Sequence, residues 1–274
     1  MKRSFFASPY LVWMTIFIVA PIALIIWYAV TNMEGALTLE NFIRFFDPIY
    51  ADVLWKSIWM AFICTLICLL IGYPAALWLS DRGMDKSGIL SVLFIIPMWM
   101  NFLLRTYAWM SLLESSGIIA QAVNGMLGWF GIDPIRLLYN DGAVMLGMVY
   151  NFLPFMILPI HSVVGKIDRR IIEAAEDLGA NGWSVFRRVK LPLSVPGIVS
   201  GVTMVFMPAI TTFVISVLMG GGKSLLFGDL IEQQFLFVGD WNFGSALSVI
   251  MMILILVSLG VLNRFEKSDE GGVW

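Results

Sequence analysis

The chain has 274 residues, 59% of them hydrophobic and 13% charged, with a mean hydropathy of +0.87 and a formal net charge of −2. Soluble domains carry roughly 25% charged residues. This chain lacks the polar surface to cover one water-soluble core and reads as integral to a membrane, with no charge footprint that points to nucleic acid.

A bilayer core takes about 20 apolar residues per helix. Six segments meet that requirement: Pro9–Thr31, Leu54–Leu79, Gly88–Leu113, Gly142–Val164, Pro196–Met219 and Trp241–Asn263. The fold class is therefore an all-α membrane protein of six transmembrane helices. In the first segment the apolar run Tyr10–Val30 is too long for a cleaved signal peptide, and no small-x-small site closes it. Pro21 inside it is tolerated in a membrane helix, so the segment is expected to be a retained span. In the second, Cys64 and Cys68 share one helix face, a poor disulfide geometry. They read as small packing residues, and two cysteines make no metal site. The third segment carries Pro97, Asn101 and Arg105, and the fourth Asn151, Pro154, Pro159 and His161. Such breaks need protein neighbours or a wet cavity, so both helices are expected in the interior of the bundle. Between them, Ser115–Asn140 is too polar and glycine-rich to span; Ile118–Trp129 is expected as a short interfacial helix, with Trp129 and Tyr139 as interfacial aromatics. Gly197 and Gly201, four apart, give the fifth segment a small face for close packing. Residues 1–8 then form an N-terminal stretch, 9–263 the six-helix domain with a loop at 165–192, and 264–274 a tail, polar and mobile from Lys267 onward. No repeat of fixed period stands out.

Loop charge sets orientation. Six spans put both termini on one side, which holds Lys2, Arg3, Arg82, Lys86, Lys166, Arg169, Arg170, Arg187, Arg188, Lys190, Arg264 and Lys267, twelve bases. The other side holds five: Arg44, Lys56, Arg105, Arg136 and Lys223. Both termini and the 165–192 loop are thus expected in the cytoplasm. The outer face carries ten acids against those five bases. That balance fits a cationic solute or docking face, and it fits positive-inside sorting alone.

Catalytic chemistry is absent from the pattern. His161 is the one histidine, and there is no HExxH and no GxSxG. The run GGGKS, Gly220–Ser224, fails as a phosphate loop because Val217 stands where that motif needs its first glycine. Its glycines are expected to make a turn or a close-packed re-entrant corner. A chain of this kind that moves a solute uphill needs another subunit to supply the energy.

The loop between segments four and five is the charged exception. Asp168 can cap a helix starting near Arg169. Ile171, Ile172, Ala175 and Leu178 recur three and four apart, with Glu173, Glu176 and Asp177 on much of the opposite surface. Gly179 and Gly182 permit bends. Trp183 and Phe186 form an aromatic pair suited to a surface groove, Arg187, Arg188 and Lys190 follow, and Leu191–Pro192 are expected to end the loop before the next span. Pattern alone fits either a force-carrying element docked to a soluble protein or a surface helix that joins two spans.

Glu173-Ala174-Ala175, three residues, Gly179, nine residues, then Val189-Lys190-Leu191-Pro192 is similar to the EAA signature of the membrane permease subunits of ABC importers. Val189 replaces the usual isoleucine. The resemblance covers essentially the whole chain. Ile95–Leu113, Gly147–Val164, Ala174–Gly201, Gly228–Leu236 and Asp240–Val249 resemble the spermidine and putrescine permeases of that family. Met207–Ser224 departs from it: where relatives often carry a proline before Leu-Gly-Gly, this chain has Ile215, Ser216 and Met219.

The resemblance implies a type I importer permease fold in a bacterial inner membrane and no catalytic residues in this chain. It implies a second, homologous permease subunit, two copies of a cytoplasmic ATPase that bind ATP and Mg, and an extracytoplasmic solute-binding protein. It further implies that Glu173, Ala174, Ala175, Gly179, Trp183, Phe186, Leu191 and Pro192 dock to the ATPase, and that the solute is a polyamine. Candidates for the solute path are Tyr107, Ser111 and Glu114, which share one face and offer a carboxylate and a ring to an amine cation, with Tyr150, Asn151, Asp229 and Glu232. Interfacial anchoring explains Tyr107 equally well, and Arg105, which would repel a polycation, is assigned to structure. Open alternatives are the same machinery carrying thiamine, ferric iron or an anion, an ATP-independent transporter, and a membrane scaffold.

Overall fold

The computed structural model describes residues 9–81, 96 and 98–270. It is all-α and multi-span. The described elements are α1 (Pro9–Ala29), α2 (Glu40–Phe45), α3 (Pro48–Asp81), α4 (Phe102–Leu113), α5 (Ile118–Trp129) and α6 (Asp141–Val164), followed by α7 (Arg169–Asp177), α8 (Gly182–Thr211), α9 (Val214–Gly220), α10 (Phe227–Gln233) and α11 (Trp241–Glu270). Among the described residues five helices are long and apolar enough to cross a membrane: α1, α3, α6, α8 and α11.

The third expected span, Gly88–Leu113, lies partly outside the described residues, at 88–95 and 97. Its described remainder is not continuous with what precedes it. Asn101 caps a fresh helix, its side chain accepting from the backbone N–H of Leu103 at 2.8 Å. The twelve residues of α4 reach only about 18 Å. Nor is α4 an interior helix: Arg105, Thr106 and Leu113 are buried, whereas Leu103, Leu104 and Tyr107 are exposed. The expectation of an interior position holds for α6, which is the most enclosed of the five long helices.

α6 lies between α3 and α8, and its buried face of Val144, Met148, Met156, Ile157 and Ile160 forms the middle of the core. In lipid, helices do not gain from hiding apolar surface from water, so association rests on close packing at small residues. Gly197 and Gly201 provide it. A Cβ at Gly197 would stand 3.0 Å from the Pro159 carbonyl oxygen and 3.1 Å from Ile160 Cα. One at Gly201 would stand 2.8 Å from Met156 Sδ. Cys64 and Cys68 are free, buried packing residues, as expected, and no group of three or more histidine, cysteine or acidic side chains gathers among the described residues.

α1 is the peripheral span and packs on α11. Its end carbonyls are satisfied from a distance: Asn242 Nδ2 donates to Tyr28 O and Thr31 O at 3.1 and 2.7 Å, and Asn41 Nδ2 to Ala29 O and Thr31 O at 3.1 and 3.0 Å. A π-helical turn at Thr15–Val19 accommodates Pro21. The apolar part of α11 ends at Leu262, in line with the expected span Trp241–Asn263, and the helix itself runs on to Glu270, into the stretch expected to be mobile. No glycine or proline interrupts residues 261–270, so the helix continues after its apolar part ends. The short helix expected at Ile118–Trp129 is present.

The fifth expected span, Pro196–Met219, is corrected at both ends. The helix begins at Gly182 and stops at Thr211; after an extended Thr212 (φ −65°, ψ 139°), α9 resumes at Val214. Pro208 removes one backbone donor, and the Thr211 hydroxyl takes the Met207 carbonyl at 3.1 Å, so the helical ladder is already weakened there. The freed carbonyls of Thr211 and Thr212 lie against Gly228, where a Cβ would come within 2.9 and 2.8 Å of them. Broken backbone is thus enclosed in protein.

Gly197→Ala is expected to cost about 1–3 kcal/mol through overpacking, because it meets backbone at Pro159 and Ile160 and the rigid Cβ of Val163. Gly201→Ala should cost less, since Met156 can move. Thermal unfolding of the two variants in detergent checks the order; equal melting temperatures would contradict the close-packing account.

Candidate functional site

Two regions stand out: the loop between α6 and α8, and the break after α8. In the loop, Asp168 Oδ1 accepts from the Arg170 N–H at 2.9 Å and starts α7. The helix is strongly amphipathic. It ends in a Schellman motif: Ala180 N–H donates to Ala175 O at 3.0 Å, Gly179 N–H to Glu176 O at 2.8 Å, and Gly179 has φ +84°. Asn181 then caps α8 by accepting from Ser184 N–H at 2.9 Å. Only residues 178–181 separate the two helices.

The loop leaves large apolar side chains in the open. Leu178 is 90% exposed, Trp183 68% and Ile171 48%. Trp183 stacks on Phe186 at 5.2 Å, and Phe186 meets the Tyr73 ring edge-on at 6.0 Å. Below them Tyr73 and Ser194 hydroxyls hydrogen-bond at 2.9 Å, and Ser194 Oγ donates to Leu191 O. Trp183 is therefore held from beneath by an aromatic column that reaches α3. No local pattern signals the pairing of Tyr73 and Ser194, which lie 121 residues apart.

The EAA residues separate onto two sides of α7. Glu173 pairs with Arg169 at 3.2 Å and lines a cleft of 310 Å³ with Glu176, Lys190 and the end of α6. Ala175, Leu178 and Gly179 line a second concavity of 350 Å³ with Ser184 and Val185, while Ala174 is exposed. Leu191 and Pro192 do not end the loop, contrary to expectation. Helix α8 passes through them by a π-helical turn at Phe186–Lys190, in which Leu191 N–H bonds to Phe186 O. The wider turn makes room where proline lacks its donor.

On the other side of the molecule, Tyr107, Ser111 and Glu114 are all exposed. Glu114 lines a 250 Å³ recess with Arg136 and Tyr139, and Tyr107 is not part of its wall. Tyr150 packs edge-on to Trp109 at 5.3 Å. Asn151 is buried inside this chain: its Nδ2 donates to Gly147 O at 2.8 Å, and its Oδ1 has no partner among the described residues. Arg105 is 8% exposed, and no acid among the described residues pairs with it. The glycines of the GGGKS run form a tight corner under the Tyr139 ring, with φ +55° at Gly221 and +75° at Gly222.

Asp229, a candidate for the solute path, is 2% exposed. Its Oδ2 accepts from Leu226 N–H at 2.7 Å and caps α10, whose Phe227 N–H also donates to Ser57 Oγ of α3 at 2.7 Å. Its Oδ1 lies 2.7 Å from Ser216 Oγ, which lies 2.8 Å from Phe213 O at the helix break. A hydroxyl has one proton, and both neighbours are acceptors while Asp229 is ionised. The Ser216 proton is therefore shared between the Asp229 Oδ1 and the Phe213 carbonyl, both of which accept from it. Burial pushes the Asp229 carboxyl up to about 6, with the nearby Glu232 charge adding to the rise and the Leu226 and Ser216 hydrogen bonds opposing it.

The folded group thus sits above its ordinary 3.8. Between those two values the folded state holds more protons than the unfolded one, so the carboxyl favours folding as pH falls through 6. Relative to Asp229→Asn, the wild type should gain up to about 2 kcal/mol between pH 8 and pH 4. Apparent melting temperatures of both proteins across that range check the sign; a difference that shrinks on acidification would contradict it.

No family model matches the chain. The spermidine/putrescine transport system permease protein PotB of Haemophilus influenzae is 40% identical over 263 residues, 93% of this chain and 91% of that protein. The PotB protein of Escherichia coli K12 is 39% identical over 93% of this chain and 94% of its own length. The inner membrane ABC transporter permease protein YdcU of Escherichia coli K12 is 26% identical over 87% and 79%. Among solved structures, a chain of a bacterial alginate ABC transporter in complex with a pentasaccharide-bound periplasmic protein superposes with a TM-score of 0.80. It is 16% identical and covers 97% of this chain and 96% of its own. A chain of the inward-facing MetNI methionine ABC transporter gives 0.59 at 18% identity, over 80% and 95%. At these identities the structural likenesses speak to fold alone.

Proposed function

This chain belongs to the family of ABC-importer permease proteins that includes the spermidine/putrescine transport system permeases, and from that membership we propose that it forms half of a polyamine path through a bacterial inner membrane. A second, similar permease subunit forms the other half. Two cytoplasmic ATPase subunits bind ATP and Mg and drive the cycle, so this chain is a transport subunit and not itself an enzyme. A solute-binding protein delivers spermidine or putrescine from outside. Six spans, with 88–113 completing the set and both termini in the cytoplasm, agree with the distribution of lysine and arginine.

The observation that carries this reading is the exposed apolar surface of Leu178 and Trp183 in the charged turn where α7 gives way to the first residues of α8. Large apolar side chains in such a setting mark a protein interface, and aromatic anchors dominate interface energetics. Residues 165–192 then act as the coupling element. Glu173, Ala174, Ala175 and Gly179 shape α7 and its turn, Trp183 and Phe186 anchor the contact, and Leu191 and Pro192 carry it into α8. Closure of the ATPases on ATP moves α7, and the bundle alternates between outward and inward access.

The testing experiment is ATPase stimulation in the reconstituted complex of both permeases, the ATPase and the binding protein, with spermidine, putrescine, thiamine and ferric iron added separately. Stimulation by a polyamine alone is expected. Stimulation only by another solute would keep the coupling role and overturn the polyamine assignment. Leu178→Asp combined with Trp183→Ala should leave the permease folded, because both side chains are exposed, and should lower uptake at least about tenfold by loss of anchor contacts. Retained co-purification of the ATPase with this double variant would contradict the docking role.

A further inference from the structure

Resting on the polyamine reading above, the geometry points to the cavity between α9 and α10, bounded by Ser216, Ser224, Asp229, Glu232 and Phe237, as a site for the primary ammonium end of an alkylamine. The cavity measures 240 Å³. That is below the roughly 300–1,000 Å³ of pockets for drug-sized ligands, so it suits an ammonium group on a short alkyl stem and not a whole folded molecule.

Its chemistry is one-sided. Two carboxylates and two hydroxyls line it, and no basic side chain does. The recess at Glu114 has a carboxylate and a ring as well, but it also contains Arg136, which opposes a cation. Ser224 is 1% exposed, and its Oγ has no hydrogen bond. Its nearest polar neighbour is the Asp141 carboxylate, which it lowers in pKa as a hydrogen-bond donor although the pair lies outside strict hydrogen-bond geometry, so the contact is weak and the hydroxyl is open to a better partner. A buried hydroxyl left without a partner in a cavity wall is costly unless something enters to satisfy it. An ammonium brings three donors and no acceptor. Ser224 Oγ, the Asp229 carboxylate and the Glu232 carboxylate supply three acceptors, and the exposed Phe237 brings an aromatic ring to the rim.

The position gives the site a consequence. Asp229 touches Ser216, and Ser216 reaches the Phe213 carbonyl at the break between α8 and α9. An ammonium that draws Asp229 toward itself therefore changes the hydrogen bonding of that break, at the far end of the helix that begins in the coupling loop.

The test is equilibrium binding of radiolabelled spermidine to the complete complex in nanodiscs without the solute-binding protein, beside polyamine uptake in proteoliposomes that include it. Saturable binding is expected for the wild type. Glu232→Gln should weaken it about tenfold through loss of a charge partner, and Ser224→Ala about threefold through loss of one neutral hydrogen bond. Unchanged dissociation constants in both variants would overturn the site, as would uptake by a wild-type complex that shows no saturable binding. If Glu232→Gln lowers the melting temperature, Ser224→Ala decides, because its hydroxyl makes only a weak contact with Asp141 in the fold. A wild-type complex with neither polyamine binding nor polyamine uptake would remove the proposed function, and this site with it.

Discussion

The near contact of the α6 and α8 backbones is the constraint on which the rest of the structure depends. Gly197 presents no side chain where the Pro159 carbonyl and Ile160 come closest, and Gly201 does the same at Met156. In a bilayer this kind of packing replaces the hydrophobic drive that assembles soluble cores. Prolines 154 and 159 would leave unpaired carbonyls on a lipid-facing helix. Here both prolines lie in α6, the helix most enclosed by its neighbours in the α3–α6–α8 core.

The loop between α6 and α8 inherits its rigidity from that contact. It joins the ends of two helices that cannot separate without losing close packing, and each of its turns is capped: Asp168 begins α7, Gly179 ends it, and Asn181 begins α8. Because α8 continues from Gly182 to Thr211 without interruption, a displacement of Trp183 is delivered along one rod to the break at Thr212. In the proposed coupling role, that continuity is what a soluble partner would act upon.

The break at the other end of the rod is held by polar groups from three helices. Ser57 of α3 and Asp229 of α10 satisfy the start of α10, and Ser216 of α9 links Asp229 to the Phe213 carbonyl. Few of these groups can be altered singly without leaving another unsatisfied in a place poor in water. A carboxyl group so placed gains from being neutral, and its environment changes whenever a cation approaches.

Five of the six expected spans, the capped α7, the turn at Gly179 and the short helix α5 were legible in the sequence, because apolar length, capping residues and glycine act within a few residues of one another. The EAA spacing, as a family resemblance, goes further and singles out the loop from residue identities alone. The sequence did not show that α8 would run through Pro192 and break at Thr212. Both outcomes depend on distant groups: a π-helical turn braced by Phe186 on Tyr73, and a Gly228 surface that shelters freed carbonyls. Asp229 illustrates the same limit. Its residue type advertised charge on a solute path, whereas packing against Ser216 and Leu226 decided that it is buried. Local sequence sets what each segment can form and on which side of a membrane its charges belong. Only the tertiary contacts decide where a helix may stop and whether a carboxyl keeps its charge, because hydrogen-bond partners and desolvation come from residues far away in the chain.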